Sequence, residues 1–594
     1  MTRKTRPQSP EQEAAFKAAT KSDQKQQVGF FMDDTGLWHI GKKGDAFLPA
    51  VWVCAPFKVK HRARGMDGLR WCFILEITDR DGVQRELVIM DADIGGQDGA
   101  WHRALSDAGL RIHPRRRGEL GHFLIMECDS APRARTVGTT GLFGNCYVLP
   151  HRTVGQSDEP ILFVGQESTT DSPESGTPVE WRAHVGRFCT GNSRLILSVS
   201  AALASPLLPL SGIGDSGGWH LYGPSSLGKT TAMAAGASVN GPPVSYISTW
   251  RNTGNATEGT AAKHNHRLLC MDEIREALER EIGIIIMMLG NGSGKGRMKD
   301  TGALRERLTW LLLWLSTGEH AMPHYLESAN LKTDPGMEIR QMDIPADAGR
   351  GFGLFETLHG HKDARAFAET LRTACDKYHG AVGIEWLEHV TANLEELRRD
   401  LPGEVSRVVH ALTPGGAESQ VLRALRRFAL LAVAGEFASK WGITGWPQGA
   451  ATAGIKTIVD AWLSCRGGAG NLEQQRMVQR LQEFLGKHWS GRFMDWDRVT
   501  DSHSPGKDGV VGLRKKGDLL WQFYITAEGW TEIYKGMDPV AAAHTLSAMK
   551  LLRTDTHGKP NIREYLPGFG RRRCYQPVPE FFQMVDDQEG DSDA

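Results

Sequence analysis

At 594 residues the chain is too long for a single hydrophobic core and suggests three or four domains. Lysine plus arginine and aspartate plus glutamate number 70 each, so no global basic charge marks a nucleic-acid binder, and any such surface must be a local patch. The nine cysteines, at 54, 72, 128, 146, 189, 270, 375, 465 and 574, never form C-x-x-C; this argues against a zinc ribbon or a disulfide scaffold and suits a reducing cytoplasm. No apolar stretch follows the polar start, as a secretory signal would require, and the longest apolar run, Leu308 to Leu315, is too short to span a bilayer. The expectation is a cytoplasmic protein without membrane contact.

In chain order, residues 1–29 read as a disordered polar tail. Short strands and turns follow, among them a hairpin from Trp71 to Met90, so 30–175 reads as an N-terminal α+β domain. Basic clusters at Pro56–Arg64 and Arg111–Arg117 are either solvated faces or contacts to a nucleic-acid backbone. A Ser/Thr/Asp/Pro/Glu-rich stretch, Gln166 to Pro178, marks a linker. Helical periodicity from Trp181 to Ala204 leads into an α/β core over 180–360. Strands are expected at Trp219–Tyr222, Val244–Ile247, Arg267–Met271 and Leu308–Leu315, with helices between them, as in a mostly parallel sheet. A helical region, 361–487, contains the amphipathic stretch Gln420–Lys440. Residues 488–582 have the element order of a winged helix, with a basic hairpin through Arg571, Arg572 and Arg573, and 583–594 form an acidic tail.

The chemistry centres on Gly223-Pro-Ser-Ser-Leu-Gly228-Lys229-Thr230-Thr231, which fits G-x-x-x-x-G-K-[ST] between an apolar strand and a helix. Glycines let successive backbone N–H groups face a phosphate at the positive end of a helix dipole. The nucleotide is therefore expected on Gly223, Pro224, Ser225, Ser226, Leu227, Gly228, Lys229, Thr230 and Thr231. Lys229 would reach the β- and γ-phosphates and the Thr230 hydroxyl would hold Mg²⁺. Downstream, Leu268-Leu-Cys-Met-Asp272-Glu273 is an apolar run ending in two acids. Asp272 would hold Mg²⁺ through water, and Glu273 would orient and deprotonate the attacking water. Together the two motifs predict a P-loop nucleotide hydrolase using ATP and Mg²⁺. A second loop, Gly290-Asn-Gly-Ser-Gly-Lys295-Gly-Arg297-Met-Lys299, is not a phosphate loop, because Leu289 stands where glycine is needed and Gly296 where serine or threonine should follow the lysine.

These pieces, with Asn255-Ala-Thr-Glu258, Leu315-Ser-Thr-Gly-Glu319, Arg340-Gln-Met-Asp-Ile-Pro345 and Arg427 through Glu436, resemble the "domain of unknown function 927" group of mobile-element and phage-type proteins over roughly 135–470. Members look like ring-forming AAA+ ATPases, similar to superfamily-three and minichromosome-maintenance helicases. The resemblance implies an AAA+ core with a helical lid and a winged-helix-like domain. It also implies a replicative DNA helicase, hexameric, acting on single strands or forks beside a separate primase or polymerase and a single-strand-binding protein. It implies that Thr317, or failing that Ser316, senses the γ-phosphate, and that Arg340 is an arginine finger for the neighbouring subunit's ATP, the alternative being a salt-bridging arginine. Arg427 or Arg423 would be a lid-side sensor, or else a helix-face arginine paired with an acid. Lys295, Arg297 and Lys299 would sit on a channel hairpin that grips DNA, or on a basic surface loop. The rival functions are an AAA+ protein remodeller or loader, whose channel loops usually carry an aromatic–hydrophobic pair that 290–299 lacks, and a nucleotide-driven switch without processive motion.

Overall fold

In the computed structural model, which describes residues 28–581 apart from 97–98, 166–173, 252–253, 296–306, 330–334, 467–471, 499–508, 518–520 and 579–580, the middle of the chain is built on a five-stranded sheet. Its strands are β1 (Gly217–Tyr222), β2 (Ser248–Thr249), β3 (Leu268–Asp272), β4 (Leu313–Gly318) and β5 (Gln341–Pro345). They lie in the order β2-β3-β4-β1-β5, and every neighbouring pair is parallel. Helices α1 (Ser193–Ala204), α2 (Lys229–Ser238), α3 (Gly254–Lys263), α4 (Glu279–Asn291), α5 (Met322–Ser328) and α6 (Pro335–Arg340) accompany it. Helices cover both faces, which is why the strands read as nearly unbroken apolar runs. Leu268, Cys270, Leu313, Leu315, Trp219 and Leu221 share one core with α1 and α2. Leu269, Met271, Leu312 and Trp314 share the other with Ile282, Ile285, Ile286 and Leu289 of α4. The architecture is mixed α/β and consistent with an AAA+-like core.

Three sequence expectations shift locally. Val244–Ile247 is not a strand. Pro243–Tyr246 is a helical turn, and β2 follows it as a two-residue strand. The cause is the Pro242-Pro243 pair, since Pro243 at the first helical position has a preset φ and offers no N–H to a ladder. The helix expected over Trp181–Ala204 breaks at Gly191, whose φ of +79° leaves the helical region, before α1 resumes at Ser193. The run Leu308–Leu315 becomes strand β4 only from Leu313. The 18-residue stretch Ser193–Leu210 is apolar enough to cross a membrane by length and composition, yet 89% of it is buried inside the protein as a core element.

N-terminal to the core, a mixed sheet orders Ile161–Phe163, Arg133–Val137, Phe57–Gly65, Cys72–Thr78 and Gln84–Met90, the last two forming the expected hairpin. Helices Ala100–Asp107 and Arg117–Glu127 bury Trp101, Leu105, Leu120 and Leu124 against Phe73, Leu75 and Ile89. After β5 come α7 (Ala364–Lys377), α8 (Ala381–Ala392), α9 (Leu394–Leu412), α10 (Ser419–Lys440), α11 (Ala450–Arg466) and α12 (Leu472–His488). α10 packs on α1, α9 and α11. In the C-terminal part, strands Phe493–Asp495, Gly512–Lys516, Trp521–Thr526, Gly570–Tyr575 and Ile562–Leu566 form a second five-stranded sheet in that order. Its core includes Met477, Leu481 and Leu485 of α12, so the boundary expected at 487/488 falls at the end of a helix whose apolar face belongs to this C-terminal sheet.

Candidate functional site

The carboxyl ends of the parallel strands gather the polar residues. β1 ends at Tyr222 beside Gly318 of β4 and Pro345 of β5, while Asp272 ends β3 beside Thr249 of β2. From Tyr222 the chain curls through Gly223, at φ +147°, and Gly228, at φ +101°, before α2 starts at Lys229. These backbone angles suit glycine, and Ser226 between them also has a positive φ, +67°. Pro224, Ser225 and Ser226 are exposed, Leu227 to Thr230 half-buried, and Thr231 buried under the loop. Lys229 Nζ donates to the carbonyls of Gly223, at 2.7 Å, and Pro224, at 2.8 Å. Partial burial lowers the Lys229 pKa, and the carboxylates of Glu273, Glu319 and Asp272 oppose that shift.

Because β4 lies between β1 and β3, its end falls between the glycine loop and Asp272. Thr230 Oγ1 donates to one Asp272 oxygen at 3.2 Å, and Thr317 Oγ1 donates to the other. The Glu273 N–H in turn donates to Thr317 Oγ1 at 3.0 Å. Glu273 stands at φ +55°, an uncommon conformation for a residue with a side chain, of the kind found where geometry serves a site. Its Oε1 is buried with no hydrogen-bond partner among the described residues. Thr230, Asp272, Glu273, Thr317 and Lys229 are thus brought together.

Ser316, the alternative to Thr317, points the other way, as strand alternation requires. It is fully buried, at 2.9 Å from His220 Nδ1 and accepting from Trp250 Nε1 at 3.0 Å. Burial pushes His220 down to about 4, so its ring is neutral and lies within 3.0 Å of the His320 carbonyl.

The other expected residues lie elsewhere. Arg340 closes α6 at the amino end of β5, donating to Gly336 O at 3.0 Å and Asn291 Oδ1 at 3.1 Å. It packs so closely on Gly290 that a Cβ there would fall 2.3 Å from its Cδ. Arg427 is 1% exposed, 2.7 Å from Asp215 and donating to Ile339 O, while Arg423 reaches Asp215 at 3.3 Å. Asp215 precedes β1, whose six residues put about 17 Å of strand between it and the glycine loop. The lid-side sensor role therefore does not fit either arginine in its own chain, and the acid-paired reading does.

Lys295 is exposed, two residues after Ser293, which forms an antiparallel bridge with Thr309, and next to Gly294, whose N–H donates to Leu308 O. The buried Glu258 of α3 accepts from Lys295 N at 3.1 Å. Arg297 and Lys299 lie outside the described residues.

Sequence reasoning missed the segment that backs the glycine loop. Ala346 N donates to Tyr222 O and Leu354 N to Leu227 O, while the Phe355 ring would meet a Cβ on Gly228 at 3.2 Å. The alternating glycines of Gly349-Arg-Gly351-Phe-Gly353 could have flagged a tight turn there.

The residues present fit a magnesium–nucleotide pair. Among the described residues no three His, Cys, Asp or Glu side chains converge on a metal-sized site. Mg²⁺ in nucleotide sites, however, takes one or two protein oxygens and completes its shell with phosphates and water. The hydroxyl of Thr230 against the carboxylate of Asp272 is a donor set of that kind.

Residues 30–308 match the family model described as domain of unknown function DUF927. No curated protein sequence matches the chain. Among solved structures, that of SCCmec type IV Cch, described as an active helicase, is 16% identical with a TM-score of 0.71, over 95% of this chain and 99% of that one. The apo A form of the NrS-1 C-terminal region is 8% identical over 60% of this chain and 75% of that one, and its TM-score of 0.27 carries no argument. The chain thus carries a DUF927 match over residues 30–308 within a fold shared nearly end to end with that of SCCmec type IV Cch.

Proposed function

We propose that this protein is an ATP-dependent DNA helicase or translocase that works as a ring, a hexamer by its resemblance to AAA+ helicases. The observation that carries the reading is the cluster at the strand ends, where Thr230 and Thr317 both hydrogen-bond Asp272 beside Lys229 and Glu273. Its likeness in fold to an active helicase adds support for DNA as the partner.

In this reading the backbone N–H groups of Gly223 to Thr231 and the Lys229 ammonium hold the β- and γ-phosphates. Bound Mg²⁺ supplies charge neutralisation across those phosphates, held by Thr230 and Asp272. Glu273 aims its carboxylate at the water that attacks and takes its proton, the role of a positioned general base. Thr317 links the two acids, since it donates to Asp272 and accepts from the Glu273 amide, and so relays the state of the γ-phosphate into the sheet. In this reading Arg340, at the amino end of β5 and not beside its own glycine loop, serves the ATP of a neighbouring subunit. An arginine finger of that type is worth on the order of 10³-fold or more in rate. Lys295, Arg297 and Lys299, on the basic loop that follows α4, supply the grip on DNA phosphates. Residues 180–360 then form the ATPase core, with the helical lid after it and the winged-helix-like unit at the C-terminal end.

The test is hydrolysis with and without single-stranded DNA, together with strand displacement on 3′- and 5′-tailed forks. The reading expects DNA-stimulated turnover and unwinding of one fork polarity. ATP hydrolysis that ignores DNA, with no unwinding of either fork, would favour a remodeller or a switch.

A further inference from the structure

The turn between β5 and α7 is unusually well fixed for a loop that presents two exposed side chains. Its root is clamped by Arg194, a buried residue of α1 whose guanidinium donates to Pro345 O and Asp347 O at 3.1 Å and is itself paired with Glu356. Its closing bond runs from Ala348 N to Gly353 O at 2.8 Å, and Asp347 Oδ1 accepts from Gly349 N at 2.8 Å. Gly349, Gly351 and Gly353 all have φ between +62° and +76°, angles that suit glycine and give the turn one shape. On its far side Leu354 N donates to Leu227 O of the glycine loop, and a Cβ on Gly353 would fall 2.8 Å from that same carbonyl. The turn is therefore a rigid extension of the loop that the nucleotide reading uses.

Its two non-glycine residues at the tip, Arg350 and Phe352, are exposed, Phe352 by 40%. Arg350 has no ion pair or hydrogen bond among the described residues. Of the other cations at this end of the sheet, Arg275 is paired with Glu319, Arg194 is buried beneath the turn and Lys229 is folded onto the loop carbonyls, while the exposed Arg251 follows β2 at the opposite edge of the sheet from β5. Arg423 and Arg427, which could have supplied a second positive group, are held by Asp215 at the far end of β1. A nucleoside triphosphate seated on the loop would thus meet an exposed guanidinium without a partner among the described residues, three residues from the backbone that touches Leu227. A guanidinium offers planar paired donors that match phosphate oxygens.

The geometry points to Arg350 as a second cation for the nucleoside triphosphate, contacting its phosphates in the same chain whose Lys229 holds them. This rests on the nucleotide reading above. The test uses the full-length protein and measures equilibrium binding of a fluorescent ATP analogue, steady-state hydrolysis and melting temperature for wild type, Arg350→Ala and Arg350→Lys. Arg350→Ala is expected to weaken ATP binding about tenfold or more, as loss of a charged hydrogen bond does, without lowering the melting temperature. Arg350→Lys recovers part of the loss. Mixing Arg350→Ala with Lys229→Ala protein, with subunit exchange verified, is expected to restore no hydrolysis, because no subunit then holds both cations. Wild-type affinity and turnover in Arg350→Ala would overturn the inference. So would restoration in the mixture, which would assign Arg350 to the neighbour's site. A wild-type protein that does not bind ATP at all would instead overturn the nucleotide reading on which the inference stands.

Discussion

The two ends of the central sheet both concentrate charge, and they treat it in opposite ways. At the amino end, Arg427 is buried against Asp215 and the Ile339 carbonyl, and Gly217 lies so close that a Cβ would fall 2.4 Å from the guanidinium. No space is left for a ligand, and desolvation lowers the Arg427 pKa against the pull of Asp215. At the carboxyl end, Asp272 and Lys229 are only partly buried, Glu273 holds a strained backbone, and one of its carboxylate oxygens has no partner among the described residues. Charge that is packed and paired serves the fold. Charge held in a defined position with its bonding capacity unspent is what a site requires.

The largest contrast should come from Lys229→Ala set against Arg427→Ala. Removing Lys229 is expected to abolish hydrolysis while melting stays near wild type, because the side chain bonds only to its own loop. Removing Arg427 empties a fully buried position and leaves the half-exposed Asp215 with only Arg423 beside it, and is expected to cost about 2–5 kcal/mol of stability, as truncating a large buried side chain does. Chemical denaturation and ATPase assays on the two variants would reveal a reversal of these roles.

Within the carboxyl end the comparison sharpens to neighbours in sequence. Thr317→Val should slow turnover by an order of magnitude or more at nearly unchanged stability, since it removes the hydroxyl that links Asp272 to Glu273. Ser316→Ala should do the reverse, costing about 1–3 kcal/mol because His220 and Trp250 lose a buried partner. If the two variants behaved alike in both assays, the assignment of faces on β4 would fail.

The DNA side of the account predicts a smaller and salt-dependent effect. Replacing Lys295, Arg297 and Lys299 with alanine should bring the ratio of DNA-stimulated to basal ATPase toward one and suppress unwinding. For single-stranded DNA, each lost phosphate contact should lower the salt slope of binding by about 0.7. Unchanged unwinding and salt slope would remove these three cations from the mechanism.

Apart from these single-site effects, buried histidines give the fold a pH dependence. His220, His264 and His266 are each pushed down to about 4, foremost by burial. Their folded pKa values lie below the unfolded value near 6.5, so the unfolded chain binds more protons between those limits. Stability is then full above about pH 6.5 and falls as pH drops toward 4, by about 1.4 kcal/mol per pH unit for each such group. Melting curves at pH 7 and pH 5 would test this, and a higher melting temperature at pH 5 would contradict it.

How much of this was legible in the sequence follows from the range of the interactions involved. The glycine loop is a local device: residue types at fixed spacing set the backbone, so Gly223 through Thr231 could be placed from the sequence. Asp272 and Glu273 were legible as the polar end of an apolar strand. The choice between Ser316 and Thr317 was not, because alternation puts adjacent residues on opposite faces and only the position of β4 between β1 and β3 decides which face meets Asp272. Arg427 looked like a helix-face arginine or a sensor, and its partner Asp215 lies more than two hundred residues earlier. Pro242 and Pro243 carried a warning against a strand at 244–247 that apolar character obscured. The turn at 347–353 was marked by its glycines, but its attachment to Leu227 is a tertiary fact.

The most direct test of the central claim, that the carboxyl-end cluster binds ATP and hydrolyses it through Glu273, is to measure bound nucleotide and hydrolysis rate in parallel for Glu273→Gln. The account predicts that this variant retains ATP with near wild-type affinity while turnover falls by orders of magnitude, since an amide cannot take the proton from water. A Glu273→Gln protein that hydrolyses ATP at the wild-type rate, or that cannot retain it, would contradict the account.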